Sequence, residues 1–415
     1  MMRRAWLSGL VLVITLLVQG GCTPMSSSVG EDRPGAAVSS TATVAAPELD
    51  GLATEIDHYV TQLEAQQQFS GVLLAVFDGQ TILERGYGWA DRERGYPNLP
   101  TTRFQIGSLS KAFTALAILS LQAEGRLRVE DSICRYLDPC PAPWQAVTLH
   151  QLLTHTSGIV DYVTLPQFWV TMSQRAVSVQ ELIQLIATQP LLAPPGEQFH
   201  YSSSGYVLLG YIIGRVAYPD LPVELAERTF LTQTILRPLG MAATSSGICS
   251  DGAATDAIGY RVAWVQANFC HPASLFAMGD MTSTASDLAR WGRALGDDRL
   301  ITPELRATLT QRSVPTSDPR TSYGYGWYVS QLADQQVIWH AGATPGYRSF
   351  IQVDFAHERM VVLLANYEAV PIVALGEEIA AMMRRWANDH ERSTLEHRRY
   401  PPSEGILQHP AGTAE

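Results

Sequence analysis

Lysine is all but absent from this chain. Of its 29 basic side chains, 28 are arginine and one, Lys111, is lysine. A guanidinium serves a solvated ion pair as well as an ammonium does, but it cannot lose its proton, whereas a buried lysine can become a neutral amine near pH 7. Lys111 is therefore a candidate base. Other absences narrow the field. No Lys/Arg block lies within the body and the net charge is −11, which argues against nucleic acid as a partner, because an anionic polymer is repelled. No C-x-x-C pair exists for a zinc site of that type, and His150 and His155 miss the i,i+4 spacing of a helical metal site, so no metal and no cofactor are expected. Internal repeats are missing too. The N-terminal apolar run, from Leu7 to Val18, falls short of the roughly 20 residues that span a bilayer.

That run follows Arg3-Arg4 and precedes Gly20-Gly21-Cys22, the three parts of a secretory signal over residues 1–22, with a twin-arginine route open. Cys22 resembles the lipidated cysteine of bacterial lipoproteins, although Gln19 stands where that pattern usually has leucine. Export to the periplasm or the extracellular face is expected, with a membrane anchor on Cys22. Residues 23–48, rich in Ser, Ala, Thr, Pro and Gly, suit a flexible spacer. Five cysteines are an odd number for an oxidising compartment; with Cys22 lipidated, four remain. Of the three connectivities, local pairing of Cys134 with Cys140 and of Cys249 with Cys270 is expected.

The 415 residues, 46% of them hydrophobic, are enough for a large core. Leu52, Ile56, Val60 and Leu63 recur at helical spacing, and two strand-like runs follow, separated by Asp78-Gly79, a hairpin signal. Near the other end, three strand-like runs from Gln336 to Tyr367 precede a helical pattern from Ile372 to His390. Links this short exclude crossover helices, so the sheet should be antiparallel. Between the two groups the chain reads as helices and loops. The fold class is α+β: an antiparallel sheet flanked by helices, built from 49–107 and 321–390, with a mainly helical lobe, 108–320, inserted. A cleft between the lobes is the expected place for a site. Residues 391–415 show no packing pattern and read as a disordered tail.

Ser108-Leu109-Ser110-Lys111 is an S-x-x-K motif opening a helix. Positions i and i+3 share a helix face, so the Ser108 hydroxyl and the Lys111 amine can meet, beside the free N–H groups of the helix start. With "YSS" at 201–203 and "HAG" at 340–342, and with "LLTHTSGI", "STASDLARW" and "YGYGW" as supporting segments, residues 50–388 resemble the serine beta-lactamase and penicillin-binding protein superfamily. The resemblance lies in its branch of class C beta-lactamases, D,D-carboxypeptidases and esterases.

The resemblance implies a beta-lactamase/transpeptidase-like fold, with Ser108 as nucleophile and Lys111 as its base. Tyr201 would share the proton traffic and activate the deacylating water, a role for which nearby positive charge must lower its pKa. His340 would hydrogen-bond Tyr201 or the substrate's anionic end. Gly342 would let the backbone approach substrate, and the N–H of Ala343 would pair with that of Ser108 as an oxyanion hole. His155 reads as structural. Ser203 departs from the pattern, because the family's second motif ends in asparagine, which contacts the substrate's acyl amide; a hydroxyl cannot span the same donor and acceptor pair. That puts efficient beta-lactam or D-Ala-D-Ala turnover in doubt and shifts weight toward ester hydrolysis; an esterase or peptidase is expected ahead of a true beta-lactamase. A different class of function is a lipoprotein that binds cell-wall peptides without turnover, as sensor or scaffold. An α/β hydrolase is disfavoured, since no G-x-S-x-G occurs. Sequence leaves the oligomeric state open.

Overall fold

The computed structural model describes residues 49–247, 256–268, 270–297, 301–332 and 335–399, with side chains described as far as His390. The segments 1–22 and 23–48, Cys22 and Cys249 lie outside the described residues. In chain order the elements that frame the site are α1 (Asp50–Ala65), β1 (Gly71–Phe77), β2 (Gln80–Tyr87), α2 (Ser110–Ala123), α3 (Ser203–Ala217) and α4 (Ala285–Gly296). They continue with β3 (Val314–Pro315), β4 (Thr321–Tyr323), β5 (Tyr328–Leu332), β6 (Gln335–Thr344), β7 (Tyr347–Asp354), β8 (Arg359–Ala365) and α5 (Ile372–Arg399).

The eight strands form one sheet in the order β2-β1-β8-β7-β6-β5-β4-β3, antiparallel at every pairing. Strand β1, from the start of the chain, lies beside β8, from near its end, in the register Val72↔Leu364. Every residue of β1 is buried, because helices cover both faces. Alternation decides which residue goes where. Leu73, Ala75 and Phe77 pack with Leu52 and Ile56 of α1 and Ile379 of α5, while Val72, Leu74 and Val76 join the larger core that contains α2, α3 and α4. Helix α2 is buried almost all round, as an apolar helix in the middle of a fold must be. Its Phe113 stacks on Trp291 of α4 at 3.8 Å between centroids.

Two boundaries differ from the sequence reading. The sheet begins at Val314, before residue 321, because Val314–Pro315 folds back on Thr321–Tyr323; the proline is tolerated on that edge strand, where one side needs no donor. Helix α5 runs past His390 to Arg399, into the segment read as a tail. No glycine or proline interrupts residues 391–399, and Pro401-Pro402 follow.

Candidate active site

Ser108 sits in a single turn, Gly107–Leu109, that runs directly into α2. Gly107 has φ +51°, and a Cβ there would come 2.7 Å from the backbone nitrogen of Ala343. From the opposite side, a Cβ on Gly342 would lie 1.8 Å from the Ile106 carbonyl oxygen. The two glycines thus let this turn and β6 touch backbone to backbone, which places Ala343 in the same cavity wall as Ser108. Ser110 fixes the turn: its hydroxyl donates to the Gly107 carbonyl (2.8 Å) and accepts from the Met281 N–H (3.3 Å). The Ile106 carbonyl is held by the Ser349 hydroxyl on β7 at 2.7 Å.

The next turn of α2 places Lys111 Nζ 3.0 Å from Ser108 Oγ and 3.0 Å from the Met278 carbonyl oxygen. The side chain is fully buried, and burial pushes its pKa down to about 7, although the carboxylate of Asp161 pulls it back up. An amine in that condition can exist neutral beside the hydroxyl it would deprotonate. Its Nζ also lies 5.0 Å from the Tyr201 ring centroid.

Tyr201 differs from its expected state. Burial raises its phenol well above the ordinary range, and contact with the Ser108 side chain offsets this only in part. It is a neutral hydroxyl able to relay a proton, not a phenolate base. His340 differs as well. Its Nδ1 lies 2.7 Å from the Ala341 carbonyl, which can only accept, so Nδ1 carries the proton and Nε2 accepts from the Tyr323 hydroxyl at 3.2 Å. Both nitrogens are thereby engaged without Tyr201, whose ring centroid is 6.5 Å away. Burial, with Lys111 adding to it, pushes the imidazole down to about 3, so it brings no positive charge to an anionic substrate group. His155, with φ +58°, accepts the Ser202 N–H at Nδ1 (3.1 Å) and packs on Tyr201 at 4.2 Å between centroids. It therefore holds the loop that carries Tyr201.

Ser203 opens α3 and its N–H donates to Asp161 Oδ1 at 3.1 Å. Asp161 and Tyr323 are functional candidates that the sequence reading passed over. Asp161 stands two positions beyond "THTSGI", and Tyr323 opens the supporting segment "YGYGW"; partners from distant elements give both their place. The Met278 carbonyl, a main-chain group, carries no side-chain signal at all.

Cys134 and Cys140 are joined by a disulfide with Cα atoms 5.3 Å apart. The Cys270 thiol is free, buried in the wall of the site and 3.6 Å from the Ser274 hydroxyl; Cys249, its expected partner, lies outside the described residues. Among the described residues no group of three or more His, Cys, Asp or Glu side chains is arranged to hold a metal.

Two cavities meet at Ser108, Tyr201, Ala343 and Arg348. One, of ≈ 590 Å³, is lined on the helical side by Asp161, Trp169, Ser203 and Met278. The other, of ≈ 660 Å³, is lined by Tyr328, Trp339, His340 and residues 370–374. A reacting carbonyl at Ser108 would therefore have room on either side, one for the acyl group and one for the leaving group.

The family model described as Beta-lactamase matches residues 56–378. Among curated proteins, Protein flp of Staphylococcus aureus (strain N315) is 28% identical over 352 residues, 81% of this chain and 65% of its own length. Penicillin-binding protein 4* of Bacillus subtilis (strain 168) is 27% identical over 325 residues, 74% of this chain and 70% of its own. The chain thus spans just under two thirds of the first of these. Among solved structures, D-amino acid amidase from Ochrobactrum anthropi SV3 superposes with a TM-score of 0.70 at 23% identity, over 83% of this chain and 99% of that one. Such a distance speaks for the fold alone. With the match covering most of the sequence and with the S-x-x-K serine and lysine in contact, the chain belongs to the beta-lactamase family.

Proposed function

We propose that this protein is an exported serine hydrolase working through an acyl-enzyme on Ser108, with esters or D-amino-acid peptides ahead of beta-lactams as substrates. The observation that carries the reading is the buried Lys111 amine, 3.0 Å from Ser108 Oγ. In the neutral form Lys111 takes the serine proton as Oγ attacks the carbonyl; the N–H groups of Ser108 and Ala343 receive the developing oxyanion. The proton then passes to the leaving group through Lys111 and the neutral Tyr201 hydroxyl, and water releases the acyl group by the reverse path. Export, with a lipid anchor on Cys22, is supported by the N-terminal pattern and by the Cys134–Cys140 disulfide, a bond that persists in oxidising compartments.

The test is turnover of p-nitrophenyl acetate, N-acyl-D-Ala-D-Ala and a chromogenic cephalosporin by the purified protein. Ester or peptide hydrolysis is expected. Stoichiometric acylation without turnover would instead favour the cell-wall-peptide-binding lipoprotein. Ser203 makes the substrate order testable by substitution. Ser203→Asn supplies a longer side chain whose separate carbonyl and amide groups reach two partners that one hydroxyl cannot span, and it should raise the cephalosporin acylation rate about tenfold, the size of one hydrogen bond. An unchanged rate in folded protein would remove Ser203 from the specificity argument.

A further inference from the structure

The cavity on the helical side of Ser108 contains one carboxylate for which no ion-pair partner is found among the described residues. Four charged side chains line it: Asp161, Arg261, Arg348 and Glu368. Glu368 pairs with Arg261 at 3.3 Å, and Arg348 donates to the carbonyls of Thr344 (3.3 Å) and Tyr347 (2.8 Å). Asp161 has no arginine; its Oδ1 accepts the N–H groups of Ser203 (3.1 Å) and Val163 (3.4 Å). Those bonds orient the carboxylate without neutralising it. Burial pushes the Asp161 carboxyl up and Lys111, the nearby cation, pulls it down; with Lys111 neutral in its role as base, an ionised Asp161 has, among the described residues, no opposite charge in contact beside the nucleophile. A substrate that brought its own cation would restore the balance. It would also cancel the upward pull of Asp161 on Lys111 and so favour the neutral amine.

Position indicates which part of the substrate carries the charge. Asp161 is hydrogen-bonded to Ser203, which the family resemblance sets against the acyl part of the substrate, and it lies on the side of Ser108 away from His340 and Trp339. The remaining wall there is partly apolar, with Trp169, Leu275 and Met278. We infer that Asp161 is a specificity-determining residue that binds a primary ammonium on the acyl group, so that the preferred substrates are esters or amides of amino acids with a free amino group. The inference rests on the hydrolase reading above and narrows its substrate class.

The test compares phenylalanine p-nitroanilide, in D and L forms, with its N-acetyl derivative, as the ratio of kcat/KM for the free amine to that for the acetylated compound. Wild type should give a ratio of about 10 to 100, the size of one charged hydrogen bond, for at least one enantiomer. Asp161→Asn keeps an oxygen for the Ser203 N–H but loses the charge, and its ratio should fall to about 1. Each ratio is internal to one preparation, so partial loss of active protein does not move it. Should the asparagine variant fail to fold, Asp161→Glu carries the test, because it keeps the charge and must keep a ratio above about 10. A wild-type ratio of 1 or below, or a preference that survives in Asp161→Asn, overturns the inference. If p-nitrophenyl acetate and all four anilides go unhydrolysed and Ser108 resists a fluorophosphonate, the hydrolase reading itself has failed. Hydrolysis without amine preference removes only the role of Asp161.

Discussion

Lys111→Arg should lower kcat/KM for p-nitrophenyl acetate by about 10²- to 10⁴-fold, the range for loss of a general base. Lys111 is fully buried, and burial pushes its amine down to about 7, so near neutrality a large fraction of it is free to accept the proton of Ser108, 3.0 Å away. A guanidinium in the same place stays protonated under all folding conditions and can only donate. Lys111→Met, similar in length and uncharged, separates chemistry from packing: it should fold with little loss and be as inactive as the arginine variant. Retention of more than a tenth of wild-type activity in either variant would mean that another group accepts the proton. The composition offers a direct check. With a single lysine in the chain, carbon-13 labelling of lysine gives one side-chain resonance, whose titration should centre near pH 7 rather than above 10.

Gly342→Ala should be nearly as damaging although it alters no reacting group. The added Cβ would lie 1.8 Å from the Ile106 carbonyl oxygen and 2.4 Å from Ser349 Oγ, distances no van der Waals contact tolerates. Backbone must move, because the first of these neighbours is main chain in the turn that presents Ser108. Overpacking of this kind costs about 1–3 kcal/mol of stability. The larger effect is on geometry: β6 backs away from the turn and takes Ala343 N–H with it, and loss of one oxyanion donor costs about 10²- to 10³-fold in kcat. The expected result is a folded protein with a lowered thermal midpoint whose kcat falls more than its KM rises. Wild-type kcat in a folded Gly342→Ala variant would show that the close approach of β6 to the turn at 107 is not needed for the oxyanion.

The sheet was legible because β1 and β8 carry dense apolar runs, Asp78-Gly79 marks the hairpin from β1 to β2, and the links joining β6, β7 and β8 are short enough to allow only antiparallel neighbours. The short strand β3 was not, since two residues with a proline show no period. At the site, Ser108 and Lys111 were legible from local arithmetic, as three residues along a helix return the chain to the same face. Everything that depended on burial was harder. Tyr201 was identified by motif, but its neutral state follows first from its burial, with Tyr328 and Tyr206, from two other parts of the chain, adding to the upward shift. His340 was assigned to Tyr201 or to the substrate's anionic end, whereas the register of β6 against β5 and β4 offers it Tyr323. The burial of the Cys270 thiol beside Ser274 could not be read from its place in the sequence. Asp161 combined both difficulties, as a carboxylate whose meaning depends on a lysine fifty positions away.

The most direct test of the account is the rate at which a fluorophosphonate labels Ser108 as a function of pH, followed by intact mass and located by peptide mapping. Attack requires the neutral form of Lys111, so the rate should be low in acid, rise through a midpoint near pH 7 and level off above it. A single adduct on Ser108 with that profile is the predicted result. A Ser108 that stays unlabelled in folded protein, or a labelling rate that does not change across pH 5 to about 9, the window in which Lys111 should lose its proton, would contradict it.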